Sequence, residues 1–274
     1  MADAAWSDLA RRAISGILMA AAALAAAWWG GWCFALFWAV AAGAVLVEWI
    51  GMVVGTRAPA VLATGGTALA AAALAAALGQ AAVAVAALAV GAAGVGMLLR
   101  GRPQAVLAAL GVPYAGAAVV PIVLLRADAA YGFAATLFVF AVVWGSDIMA
   151  YFTGRTLGGP KLWPRVSPKK TWSGFLGGTL FGALGGWTVA AAAGAGATAV
   201  LLGLAVVLAV VSQGGDLLES ALKRRFGTKD ASHLIPGHGG VMDRLDGFVV
   251  AALVALVLGM LGSPLAPARA LLAW

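Results

Sequence analysis

Apolar segments close to the length of a bilayer crossing recur along this chain, with little polar sequence between them. A span needs roughly 20 consecutive apolar residues. Nine stretches approach that length: 13–29, 32–53, 60–79, 81–99, 105–125, 130–153, 174–195, 198–218 and 247–262. Charged residues make up 10% of the sequence, against about 25% in soluble domains, so most of the surface must face lipid. The pattern predicts an all-α fold, a polytopic integral membrane helical bundle of about nine transmembrane helices. Many spans are rich in Ala and Gly, which lets helix backbones approach closely where packing drives association. No internal repeat is evident, so the inverted-repeat sign of many transporters is missing. The opening MADAAWSDLARR shows no clear cleavage site and reads as the lead into a first span that stays. Cys33 is the single cysteine, which rules out an internal disulfide.

Orientation follows from the basic residues. With the N-terminus in the cytosol and the spans alternating, all of the 17 Lys and Arg residues except Arg126 and Arg269 fall on the inside, a strong positive-inside asymmetry. It places two long polar loops, 154–173 and 219–246, in the cytosol and the C-terminus outside. The net charge of +7 is then no sign of nucleic acid. It suits anionic headgroups or an anionic cytosolic substrate, and part of it serves topology alone.

Charge is concentrated at one place. The segment Ser220 to Asp246 holds both histidines, five of the Lys and Arg residues and three carboxylates. Ionisable groups at a membrane are costly and mark function by default. Asp243 and Asp246 are spaced i, i+3, which puts both on one helical face. Two carboxylates so close repel unless a cation or basic group lies between them, and a hard cation such as Mg²⁺ takes oxygen ligands and substrate phosphates. The competing reading is a helix-start pair favoured by the macrodipole, with Arg244 as partner. Asp216, Ser220 and Lys223 share a face at the end of the eighth span. If the two helix ends meet, three carboxylates converge beside several cations.

Between them lies Pro236-Gly237-His238-Gly239-Gly240. Its glycines permit unusual backbone angles, and its exposed N–H groups can cradle phosphate. His238 can donate to a phosphate or shuttle a proton. A plain tight turn is the alternative. The neighbouring Lys223, Arg224, Arg225, Lys229 and Arg244 favour phosphate, which Arg clamps bidentately and Lys meets as a point charge. His233 reads as a loop residue. In the other polar loop, Lys169 and Lys170 stand in a hydroxyl-rich turn before a helix, suiting either an anion or a basic anchor to headgroups. Asp147, Tyr151 and Arg155 share one face of the sixth span. Asp147 can serve metal or nucleotide, or pair with a basic residue. Glu48 has no polar company in sequence and reads as structural.

The segment Ser220 to Asp246 resembles the signature of the phosphatidate cytidylyltransferases, also called CDP-diacylglycerol synthases. The matching positions are Ser220, Lys223, Arg224, Lys229, Asp230, Pro236 to Gly240, Asp243, Arg244 and Asp246. The segments SPKKTW, from Ser167 to Trp172, and Asp147 to Arg155 are similar to the family as well. Ser173 departs, standing where the family often has Glu or Gln. The resemblance covers the C-terminal half. The N-terminal half matches only in being apolar, with about five spans over 1–125, and the resemblance makes 126–274 a catalytic transmembrane region that carries the two loops. It also implies a nucleotidyltransferase of phospholipid biosynthesis, in which CTP and phosphatidic acid give CDP-diacylglycerol and pyrophosphate. The implied metal ligands are Asp216, Asp243 and Asp246, with Lys223 and His238 joining them in catalysis. Substrate would be held by Ser220, Arg224, Lys229, Arg244, Gly239, Gly240, Lys169, Lys170 and Asp147. Mg²⁺ is the implied cofactor, with room for a second, monovalent cation. The implied partners are CTP, phosphatidic acid and membrane lipid, with no nucleic acid, and a homodimer is allowed. The implied setting is a bacterial inner (plasma) membrane with the site facing the cytosol. A CTP-dependent lipid kinase of polyprenol type would use similar parts. An anion transporter would need polarity across the whole bilayer, whereas here it lies on one side.

Overall fold

The computed structural model describes residues 2–55, 58–196, 198–232, 234–235 and 239–273, with side chains described from Ile14 onward. The chain forms α1 (Ala2–Trp29), α2 (Gly31–Val54), α3 (Pro59–Ala77), α4 (Ala81–Leu98), α5 (Ala105–Arg126), α6 (Gly132–Thr156), β1 (Lys161–Trp163), β2 (Ser167–Thr171), α7 (Trp172–Ala192), α8 (Ala199–Arg225), α9 (Met242–Gly262) and α10 (Pro267–Leu272). Among the described residues, eight helices, α2 to α9, are long and apolar enough to cross a membrane. The protein is an all-α polytopic membrane bundle. The ninth expected span lies in α1, whose described apolar stretch, Ile14–Trp29, is shorter than the rest. Outward-facing Leu36, Val40 and Val90 are each more than half exposed, as lipid contact requires. Trp28, Trp29 and Trp32 stand exposed at the α1–α2 junction, the amphipathic type found in interfacial belts.

Three features depart from the expected layout. The polar stretch after the eighth span is helical as far as Arg225, and α9 resumes at Met242, so the intervening loop is shorter than 219–246. The loop 154–173 contains an antiparallel hairpin that pairs Lys161 with Thr171 and Trp163 with Ser167, so Ser167 to Thr171 is a strand rather than a turn. The C-terminal segment ends in the short α10, whose Leu271 and Leu272 are buried.

Two compact units make up the chain. The first comprises Met1–Val123 and Phe226–Leu245, the second Leu124–Arg225 and Asp246–Trp274. In the first, Trp49 of α2 donates through Nε1 to the Leu107 carbonyl at 2.8 Å and packs on Tyr114 with ring centroids 4.8 Å apart.

In the second unit, α6 and α7 meet along a seam of glycines. Gly174, Gly178, Gly182 and Gly186, four residues apart, are all buried. A Cβ on Gly174, Gly178 or Gly182 would meet the α6 carbonyl oxygens of Ala150, Ser146 and Val142 at 2.8, 2.7 and 2.7 Å respectively. The small-residue spacing of α7 therefore sets the backbone distance, as in small-xxx-small packing. Thr171 starts α7 by accepting the Gly174 N–H at 3.1 Å, satisfying one of the orphan donors of a helix start.

Candidate active site

The second unit gathers carboxylates from three helices. Asp147 comes from α6, Asp216 and Glu219 from α8, and Asp246 from α9. The other three lie close enough to Asp246 for their charges to act on it. Glycines explain how α8 and α9 come together here. A Cβ on Gly215 would meet the Asp246 carbonyl oxygen at 2.7 Å, and one on Gly247 would meet the Ser212 Oγ at 2.6 Å. Asp216 and Asp246 are thus each flanked by a glycine that lets the backbones touch. Gln213 ties α8 to α7, donating to Thr179 Oγ1 at 3.0 Å and to the Phe175 carbonyl at 3.3 Å.

Cations sit among these carboxylates. Lys170, on β2, places its Nζ 2.5 Å from Asp216 Oδ2, while Ser220 donates to Asp216 Oδ1 at 3.3 Å. Lys223 pairs with Glu219 at 3.0 Å, and the Glu219 side chain is wholly buried. The i, i+4 relation of Glu219 and Lys223 is a helical pairing signal that a reading centred on Asp216 passes over. Among the described residues, no group of three or more His, Cys, Asp or Glu side chains is arranged to hold a metal ion. Lys169 and Arg224 are exposed. Arg155 of α6 donates to the Tyr151 hydroxyl at 2.9 Å.

The first unit holds Lys229, Gly239, Gly240, Asp243 and Arg244. Asp243 is buried, and its Oδ2 accepts the N–H groups of Ala231 at 2.9 Å and Gly240 at 2.8 Å. Gly239 takes φ +82°, which favours glycine. Lys229 and Arg244 are exposed. His233, Pro236, Gly237 and His238 lie outside the described residues.

Glu48, which has no polar company in sequence, has it in the fold. It is buried in α2 at 5% exposure. Its Oε1 accepts Ser232 Oγ at 2.6 Å and the Val241 N–H at 2.9 Å, and its Oε2 accepts the Met242 N–H at 2.7 Å. A carboxylate here satisfies orphan donors at the start of α9 and suits the positive end of its dipole. A Cβ on Gly240 would meet both Glu48 carboxylate oxygens at 2.7 Å, so this glycine makes room for the acid.

The glycine crossing carries a prediction. Gly215→Ala is expected to push α8 from α9, costing about 1–3 kcal/mol as overpacking does. Gly214→Ala, where an added Cβ meets nothing within 4 Å, is expected to leave stability unchanged. Thermal melting of the two purified variants checks this. Equal effects at both positions would contradict it.

These features define a polytopic membrane protein with a polar site of carboxylates and lysines built into its helix ends. The chain belongs to the cytidylyltransferase family, whose model it matches over residues 10–261. It is 51% identical over 160 residues to a phosphatidate cytidylyltransferase of Brucella abortus (strain 2308), covering 58% of this chain and 57% of that protein. It is 41% identical over 120 residues to the phosphatidate cytidylyltransferase of Bacillus subtilis (strain 168), covering 43% and 45%. It is 40% identical over 114 residues to that of Staphylococcus aureus (strain COL), covering 41% and 44%. The matched segments span little more than half the length of these relatives at most.

Proposed function

We propose that the protein is a phosphatidate cytidylyltransferase. A phosphate oxygen of phosphatidic acid attacks the α-phosphorus of CTP, the bond to the bridging oxygen breaks, and pyrophosphate leaves with CDP-diacylglycerol as product. The observation that carries this reading is the convergence of Asp147, Asp216, Glu219 and Asp246 with Lys170 and Lys223. Both reactants are anionic, so the barrier is chiefly charge repulsion and positioning, which fixed cations lower. The carboxylates offer hard oxygen donors and fit Mg²⁺ in chemistry. Asp216 and Asp246 would hold it, and the signature resemblance adds Asp243 to the ligand set. The ion would supply charge neutralisation at the phosphates. Lys170 and Lys223 would meet phosphate oxygens, as would the exposed Lys169, Arg224, Lys229 and Arg244. Ser220, Asp147 and the Gly239–Gly240 backbone would position substrate, and His238 would handle a proton or a phosphate. Product analysis tests the reading: a CDP-lipid with pyrophosphate supports it, whereas CDP with a phosphorylated lipid alcohol identifies a lipid kinase instead.

The proposed topology has the N-terminus and both polar segments in the cytosol and the C-terminus outside. Position 265 is the suitable outer probe, since Leu265 is 98% exposed. In a Cys33→Ser background, Asp3→Cys and Leu265→Cys are expected to react from opposite sides of sealed vesicles. Labelling from the same side would contradict an odd number of crossings.

A further inference from the structure

We propose that Glu48 is a positioning residue for the transfer reaction, holding the signature loop and the start of α9 in their working geometry. This rests on the cytidylyltransferase reading above. Glu48 and Asp243 close the loop between α8 and α9 at its neck. Asp243 takes the Ala231 and Gly240 N–H groups, and Glu48 takes the Ser232 hydroxyl and the Val241 and Met242 N–H groups. Each carboxylate therefore binds both ends of the same segment. Asp243 does so from within the signature. Glu48 does so from a helix nearly two hundred positions earlier in the chain, 194 from Met242.

A buried carboxylate with this many donors is not replaceable by a neutral group of the same shape. Glutamine at position 48 keeps one acceptor oxygen for Ser232 and Val241. Its amide N–H₂ would face the Met242 N–H, donor against donor, and the charge opposite the α9 N-terminus is gone. The strained end is the one that carries Gly240, Asp243 and Arg244. Misplacing such groups by about an ångström lowers turnover strongly even when the fold survives.

The test uses the full chain, purified and reconstituted. Turnover of CTP and phosphatidic acid, hydrogen–deuterium exchange and thermal melting are compared for wild type, Glu48→Gln and Ser232→Ala. For Glu48→Gln the expected results are faster exchange confined to the loop and the first turn of α9, a melting point close to wild type, and kcat lower by about tenfold or more at saturating substrate. Ser232→Ala, which removes one of the three bonds, is expected to have a smaller effect in the same direction. Wild-type kcat and wild-type exchange in Glu48→Gln would overturn the proposal. Faster exchange throughout the bundle with unchanged kcat per folded molecule would also overturn it, since Glu48 would then be a stability residue only. If wild type itself yields no CDP-lipid, the substrate reading fails, and the exchange pattern alone decides whether Glu48 holds the loop.

Discussion

Asp216→Asn and Asp246→Asn are each expected to cut turnover by on the order of 100-fold or more, the scale seen when a single preorganised electrostatic group is lost, without unfolding the protein. Asp246 lies among Asp216, Glu219 and Asp147. Like charges held together disfavour the compact state, so neutralising Asp246 should leave the melting point unchanged or raise it in the absence of divalent cation, whereas Asp216→Asn also gives up the ion pair with Lys170, a part-exposed contact of about 0–1 kcal/mol. If these groups bind Mg²⁺, raising its concentration should restore part of the activity, because mass action offsets weaker affinity. Asp243 separates two roles. Asparagine at 243 can still accept the Ala231 and Gly240 N–H groups through its side-chain oxygen, so a pure loop-holding role predicts near-normal activity. A ligand role predicts loss with an altered Mg²⁺ dependence, and that is the outcome expected here. Asp128→Asn serves as the control: Asp128 Oδ1 accepts the Ala130 and Tyr131 N–H groups at 2.9 and 2.7 Å, which asparagine can also do. Activity against Mg²⁺ concentration for the four variants decides the matter, and an unchanged profile in Asp216→Asn and Asp246→Asn would remove the metal assignment.

The second large effect concerns Lys223. Its ammonium is the partner of a fully buried Glu219, and removing one member of a buried pair leaves an uncompensated charge, at about 3–5 kcal/mol. Lys223→Ala is therefore expected to lose stability as well as activity. Glu219→Gln combined with Lys223→Met should recover the fold but not the turnover. Arg224 is exposed, so Arg224→Ala should keep its melting point while kcat/KM falls by tens-fold, as loss of one or two charged hydrogen bonds of about 1.5–3 kcal/mol implies. The exposed pair Arg100 and Arg102 should tolerate alanine. Equal losses at Arg224 and at Arg100 would show general damage rather than a phosphate contact.

The helices were largely legible because each needs only its own apolar run, and α2 to α9 begin and end within a few residues of polar or Gly-containing breaks. The continuation of α8 to Arg225 was legible only in part: the shared face of Asp216, Ser220 and Lys223 implies helix there, but the apolar run stops at 218, which puts the expected start of the loop too early. The hairpin was not. KLW and SPKKT lack apolar alternation, and their pairing depends on closing a short turn. Glu48 was invisible for a different reason. Its partners are backbone N–H groups and a serine far along the chain, and neither leaves a mark in the sequence around it. Gly215 and Gly247 were in plain view beside Asp216 and Asp246. Their meaning as contact points emerges only when α8 and α9 are seen to touch.

The central claim, transfer of CMP rather than of phosphate, is tested most directly by the position of a label. Purified protein is given phosphatidic acid, Mg²⁺ and CTP labelled at either the α- or the γ-phosphorus. The account predicts that the α-label enters the lipid product and the γ-label leaves as pyrophosphate, in equal amounts and only when phosphatidic acid is present. A lipid carrying the γ-label, with CDP left in solution, would contradict it.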